Sequence, residues 1–250
     1  ALLPALRAPS DGGPRGLAGR FYYPREGGIG AIAQAYERRI RALGGEIVLG
    51  ARVGALERNG RRIRAVRFHT QAGEARLDCD EIVNTMPLPL ATTLLEPRPS
   101  PIVLAAAGAL EFISILFVYL EIDRPSVSPD HWIYLPEKHL RVHRVSESKN
   151  FSDASAPGDR TALCCEITCR AGDATWRLRR DEAAAIAESD LLAAGLIEPG
   201  SARPLAIARL RHAYPVYDLD YKARLRLVRQ ESKQLENFRT TGRQGLFRYN

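Results

Sequence analysis

The sequence predicts a mixed α/β fold with an antiparallel sheet inserted into it. Three observations carry this. Helix and strand signals alternate over the first hundred residues. After the Pro-rich stretch 97–101 the texture changes to strand runs with long connections. Near the C-terminal end a helix and a short extended run return. Strand runs divided by helices in this way point to α/β layers with an inserted sheet.

The elements follow in order. Residues 1–20 are rich in Pro and Gly, show no period, and are expected to be the tail of an upstream segment. A glycine turn, Gly27-Gly28-Ile29-Gly30, opens a helix. Ile29, Ile32, Ala33, Tyr36, Ile40 and Leu43 fall on one face at helical spacing. Gly44-Gly45 ends it. Residues 46–49 are expected to be a strand. A second strand, 52–57, runs into Asn59-Gly60, a strong hairpin signal, and returns over 62–68. Residues 74–78 add a third. Residues 80–87 form a short apolar strand leading into a Pro-Leu-Pro turn, followed by a helix through 91–95. Later strands are expected at 112–122, 131–135, 141–145, 161–168 and 206–212. A helix over 181–194 interrupts them, and a last helix spans 221–235, with Asp218 and Asp220 as its caps.

The composition is 45% hydrophobic and 26% charged over 250 residues, enough for a sizeable core. No apolar run approaches the ~20 residues of a membrane span. The charge is +7, from 36 basic and 29 acidic residues. The arginines are spread along helices and hairpins, as a solvated face rather than a nucleic-acid footprint. Cys79, Cys164, Cys165 and Cys169 form no C-x-x-C pair. Cys165, Ile167 and Cys169 share one face of a strand, so buried free thiols in a reducing cytoplasm are expected, with no disulfide and no metal site. His139 and His143, four apart in strand texture, make no helical metal pair. No Ser-His-Asp set or P-loop supports a hydrolase or kinase.

The end segment reads Thr241-Gly242-Arg243-Gln244-Gly245-Leu246-Phe247-Arg248-Tyr249-Asn250. Gly lacks the Cβ that blocks a close approach, and Arg supplies a planar fork of donors, a pairing suited to phosphate. With no Pro, Gly or charged tail after Asn250, the chain is expected to be cut within a folded domain.

Three segments carry a family resemblance. Gly44-Gly45-Glu46-Ile47-Val48-Leu49-Gly50-Ala51-Arg52-Val53 resembles a segment of FAD-dependent amine oxidases, phytoene desaturases and protoporphyrinogen oxidases. There the Val offers its backbone N–H and C=O to the adenine edge. Glu81-Ile82-Val83-Asn84-Thr85-Met86-Pro87 resembles the strand and Thr-x-Pro turn that pass near the cofactor's phosphates in the same families. Gly242-Arg243-x-Gly245-x-Phe247-Arg248-Tyr249-Asn250 resembles most closely UDP-galactopyranose mutase and its oxidoreductase relatives, where it leads to a helix N-terminus under the flavin. The matches cover residues 22–89 and 214–250. The family's N-terminal strand–GxGxxG–helix does not occur in these 250 residues, so a central fragment is expected.

The resemblance implies a partial Rossmann-type domain binding non-covalent FAD, from residues 21–100 and 213–250. Residues 101–212 would be an inserted antiparallel substrate sheet. Val53, Thr85, Pro87, Gly242, Arg243 and Gly245 would bind the cofactor. Trp132 and Tyr134 in the inserted sheet, and Tyr217 after it, are either core aromatics or cavity lining, and Tyr214 belongs with them. Arg144 is the best substrate candidate, since a buried Arg between apolar strand residues needs an anionic partner. The implied activity is hydride transfer from a C–N or C–C bond of a small organic substrate to flavin N5. A mutase-like isomerisation of a nucleotide sugar is the alternative, and a non-catalytic basic binding module is the third class.

Overall fold

The computed structural model describes residues 22–249. The expected tail 1–20, with Phe21 and Asn250, lies outside them. Helix α1 (Gly30–Ala42) starts after Gly27 and Gly28, both at positive φ, as the glycine turn predicts. Its apolar stripe is uncovered: Ile29, Tyr36 and Leu43 are exposed, and the helix buries no residue.

The hairpin at Asn59-Gly60 joins β1 (Arg52–Asn59) to β2 (Arg62–Thr70), and β3 (Gly73–Asp78) adds to β2. Next come β4 (Ile82–Asn84), α2 (Leu88–Thr93) and β5 (Leu95–Glu96). The order across the first sheet is β3-β2-β1-β5, with β5 parallel to β1. Residues 46–49 are not a strand, contrary to expectation. No described strand lies beside them to supply the ladder bonds that define one, and Val48 and Leu49 are exposed. The helix expected over 91–95 sits earlier, because Leu95 pairs with Leu56 of β1 instead.

Helix α3 (Pro101–Gly108) begins on the last residue of what reads as a Pro-rich break. Pro101 takes the first helical position, where a missing N–H costs nothing. The second sheet is made of β6 (Phe112–Ile122), β7 (Trp132–Tyr134), β8 (Val142–Glu147), β9 (Thr161–Cys169) and β10 (Ala202–Pro215). Its order is β10-β6-β9-β8-β7, all antiparallel. Between β9 and β10 lie the short α4 (Ala174–Arg177) and α5 (Arg180–Ala193). Helix α5 covers one sheet face: Ala183, Ala184, Ala187 and Leu191 pack in one core with Leu116, Val118, Leu120, Val145, Cys165 and Ile167.

The chain then returns through α6 (Tyr221–Gln234), β11 (Phe238–Thr240) and the short α7 (Gly242–Gly245). β11 lies parallel to β4. The second core joins α2, α3 and α6 to β1 and β2 through Leu88, Ala106, Leu225, Val228, Leu56 and Ile63. Asp220 makes no side-chain capping bond. Asp218 does accept from Asp220 N at 3.0 Å at the helix entry, and both carboxylates hold Arg224, at 2.5 and 3.2 Å. All four cysteines are free, with Cys165 and Cys169 buried as their shared face requires. Among the described residues no helix is long and apolar enough to cross a membrane.

Asn237 ties the first sheet to the β4–β11 pair. Fully buried, it accepts from Ile63 N at 2.9 Å and donates to the carbonyls of Ile63 and Asp80, both at 2.8 Å. Replacing it by Ala leaves backbone groups without partners in a dry site. We expect Asn237→Ala to lower stability by about 3 kcal/mol. Urea denaturation followed by circular dichroism measures it, and a loss within error of zero would mean that water replaces the amide.

Candidate functional site

Parallel strands point their carboxyl ends the same way, and ligands of α/β sheets gather beyond those ends. Here β4 and β11 are such a pair. Beyond them lie residues 85–87 on one side and 241–245 on the other. A buried amide joins the two. Asn84 Nδ2 donates to Met86 O and to Thr240 Oγ1, both at 3.1 Å, and its Oδ1 accepts from Met86 N at 3.2 Å. Thr240 Oγ1 in turn donates to Gly245 O at 2.6 Å, and Thr241 N donates to Asn84 O at 2.9 Å.

This network explains both glycines. Gly245 lies against the 84–86 turn, and a Cβ there would stand 2.9 Å from Thr240 Oγ1 and 3.0 Å from Asn84 O. Gly242 has φ +75, with nothing within 4 Å of where its Cβ would be. A left-handed glycine open to space leaves backbone accessible for close approach. Thr85 is exposed in the turn after β4, while Pro87 is buried at the start of α2.

Thr85, Pro87, Gly242 and Gly245 are thus brought together. Val53 stands apart in the first sheet, paired with Phe68, next to a bulge at Gly54. One guanidinium nitrogen of Arg243 is engaged within the fold. It donates to the Ala213 carbonyl, and the guanidinium lies 5.1 Å over the Tyr214 ring. Gln244 Nε2 donates to His212 O at 2.6 Å, so the terminal turn is fastened to the end of β10. Tyr214 also stacks on Tyr249 at 4.7 Å.

The sheet face opposite α5 is the second part of the candidate site. Alternation along the strands puts Phe117, Tyr119, Cys164, Glu166, Arg144 and Tyr134 on it. Arg144 finds its anion within the sheet: Nε and Nη2 reach Glu166 Oε1 at 2.9 and 2.6 Å, and Nη2 reaches Oε2 at 2.8 Å. Burial works against the Arg144 charge, but hydrogen bonds with Glu166 and Tyr134 outweigh it and hold its pKa above the ordinary value. His143 lies 3.7 Å from Glu166, yet burial pushes its pKa down, so near neutrality Arg144 alone balances the carboxylate. Trp132 and Tyr134 are exposed on this face rather than core aromatics. Tyr217 is elsewhere, stacked on Tyr221 at 4.4 Å with its hydroxyl donating to Phe247 O at 3.4 Å.

The residues that sequence reasoning missed are Asn84, Thr240 and Glu166. Asn84 stands in the quoted strand, one residue before Thr85. A polar amide closing an apolar strand is the only local signal.

A family model described as flavin-containing amine oxidoreductase matches residues 5–246. The chain belongs to that family. Its cofactor is FAD, and the open Gly242 backbone, the exposed Thr85 and the tightly packed Gly245 fit a group that carries phosphates. Among solved structures, the chain is similar to reduced UDP-galactopyranose mutase, at 18% identity and TM-score 0.74, over 91% of this chain and 47% of that one. It is similar to a candidate protoporphyrinogen oxidase from Exiguobacterium sp. 255-15, at 19% identity and TM-score 0.60, over 87% and 46%. It is also similar to a triple mutant of putrescine oxidase, at 17% identity and TM-score 0.58, over 86% and 47%. These likenesses share the fold, and the chain spans about half the length of each structure. No curated protein matches it.

Two outcomes follow. Gly245→Ala forces a Cβ into Thr240 and the Asn84 carbonyl. Flavin content per protein should fall at least severalfold while the far-ultraviolet spectrum is kept; unchanged content would show that the 84–86 turn yields. The second concerns pH. Burial, with Cys164 nearby, pushes Tyr119 up to about 12, and burial pushes Cys164 up to about 11. Both exceed their unfolded values of 10.0 and 9.0, so their contribution to stability is complete below pH 9 and is lost as pH rises through 11 and 12. The denaturation midpoint should fall from pH 9 upward, less steeply in Cys164→Ala. Equal slopes for the two proteins would remove Cys164 from the account.

Proposed function

We propose that the protein is an FAD-dependent oxidoreductase that takes a hydride from a C–N or C–C bond of a small organic substrate. The convergence of the 85–87 turn and the 241–245 turn beyond two parallel strands carries the reading. The family description supports redox chemistry on amines. When bound, the flavin supplies the hydride acceptor, and the protein supplies position and electrostatics.

In this proposal Thr85, Gly242 and the backbone around Gly245 receive the phosphate side of the cofactor, and Pro87 sets the start of α2. The backbone of Val53 meets the adenine edge. Arg243 clamps α7 to the end of β10 and aligns Tyr214, with its remaining donors turned to the cofactor. The substrate lies on the sheet face that carries Tyr119, Tyr134, Arg144 and Tyr214. Residues 21–100 and 213–250 form the cofactor portion, and 101–212 the inserted substrate portion.

The ion pair helps to choose between reactions. A nucleotide-sugar mutase calls for two basic side chains aimed at a diphosphate. Arg144 is already balanced by Glu166, so the open face carries little net charge. That favours an uncharged or weakly polar substrate and hydride removal over diphosphate recognition.

The full-length protein should purify yellow, with flavin released intact by acid, because no Cys or His stands in the 241–250 motif to bind it covalently. A protein without flavin absorbance after refolding with excess FAD would sink the proposal, and would leave a non-catalytic binding module. Arg243→Ala should weaken FAD binding by roughly 1.5–3 kcal/mol, the scale of a charge-assisted hydrogen bond. Arg243→Lys should recover only part, since it lacks the planar fork. Isothermal titration of the apoprotein reads both, and parental affinity in both variants would make Arg243 a bystander.

A further inference from the structure

Helix α6 carries a feature that the proposed reaction does not use. Lys222, Arg226, Arg229 and Lys233 recur at spacings of four, three and four, which is one stripe of a helix. At ~1.5 Å per residue the stripe runs about 16 Å. These residues, with Arg248, line a groove of about 560 Å³ against the 247–248 turn. Its other walls are Leu225, Gln230, Phe247 and the stacked pair Tyr217–Tyr221.

The groove holds cations without acids. Some arginines elsewhere do meet a carboxylate, among them Arg41, Arg67, Arg76, Arg144 and Arg160. The acids nearest α6 are already engaged on other sides. Asp218 and Asp220 hold Arg224, Glu231 holds Arg58 at 2.7 Å, and Glu236 faces Arg61 and Arg62. Among the described residues, none of the five groove cations has a carboxylate partner. Arg229 donates to Leu246 O at 2.8 Å, which fixes its guanidinium in the groove wall. Like charges gathered on one wall repel one another, and a bound anion relieves that repulsion.

We propose that this groove binds a nucleoside polyphosphate at a site separate from the FAD site. The charge is complementary to a chain of phosphates, and Arg forks suit their oxygens. Tyr217 is 45% exposed at the same end of α6 and offers a ring on which a base stacks. The volume lies within the range of small-ligand sites, roughly 300–1,000 Å³.

The test uses the full-length protein saturated with FAD, so that the cofactor site cannot take the probe. N-methylanthraniloyl-ADP is titrated and its fluorescence anisotropy followed, with flavin absorbance recorded on every sample. Saturable binding is expected, weakened at least about tenfold in Lys222→Glu/Arg226→Glu, since each lost charge-assisted contact is worth that much or more. Both positions are exposed, so the variant should keep its flavin. Tripolyphosphate should compete more weakly than ADP, and Tyr217→Leu should abolish that difference. Binding unchanged in the charge-reversal variant, no saturation, equal competition by tripolyphosphate, or tighter capture of an oligothymidine than of ADP would each overturn the proposal. If the protein takes no FAD at all, that failure belongs to the oxidoreductase reading and appears in the absorbance, not in the anisotropy.

Discussion

The arrangement beyond β4 and β11 depends on one buried amide. Asn84 closes β4 and, through its side chain, fixes both the turn that follows it and the Thr240 hydroxyl across the ladder. Thr240 passes the constraint to the Gly245 carbonyl. A three-residue strand pair is too short to hold two loops by backbone bonds alone. Buried polar groups must be satisfied, and a fully satisfied network specifies one geometry because any other leaves a donor or acceptor bare. Gly245 is the sequence consequence: once the two turns are drawn together, no space remains for a Cβ.

Local signals were legible wherever a residue's own chemistry decides its conformation. The hairpin at Asn59-Gly60, the glycine entry to α1 and the apolar run of β6 lie where the sequence predicts them. The misses share a cause. Residues 46–49 have strand composition, but a strand exists only through its ladder, and composition does not contain the partner. Leu95 was claimed for a helix by its neighbours and taken by β1 instead. Helix α3 was hidden because Pro101 reads as punctuation, although proline at a first helical position opens a helix.

At the candidate site, glycines and turns were legible and side-chain partners were not. Gly242 and Gly245 are required by backbone conformation and by close packing, and both leave a mark in the residue type. Arg243 and Arg144 leave only the information that a charge is present. Their partners, the Ala213 carbonyl and Glu166, lie 30 and 22 residues away. That a buried arginine needs an anion follows from physics; which anion follows from register.

Register also couples the open face of the large sheet to its stability. Along β6, β8 and β9, aliphatic residues pack against α5, while Tyr119, Arg144 and Glu166 alternate with them on the other side. A slip of one residue in β8 or β9 would drive Arg144 or Glu166 into the aliphatic core, and one in β6 or β9 would turn Val118 or Cys165 outward. The energy of burying that core therefore holds the polar face in place. The ion pair adds little net charge to the face, but its three hydrogen bonds join β8 to β9 beside the register shift between Val142 and Arg144, where the ladder is interrupted. In this sheet the side chains proposed to face a substrate and the side chains that bridge a backbone irregularity are the same ones. Substitution at Arg144 or Glu166 therefore bears on the fold as well as on the proposed recognition.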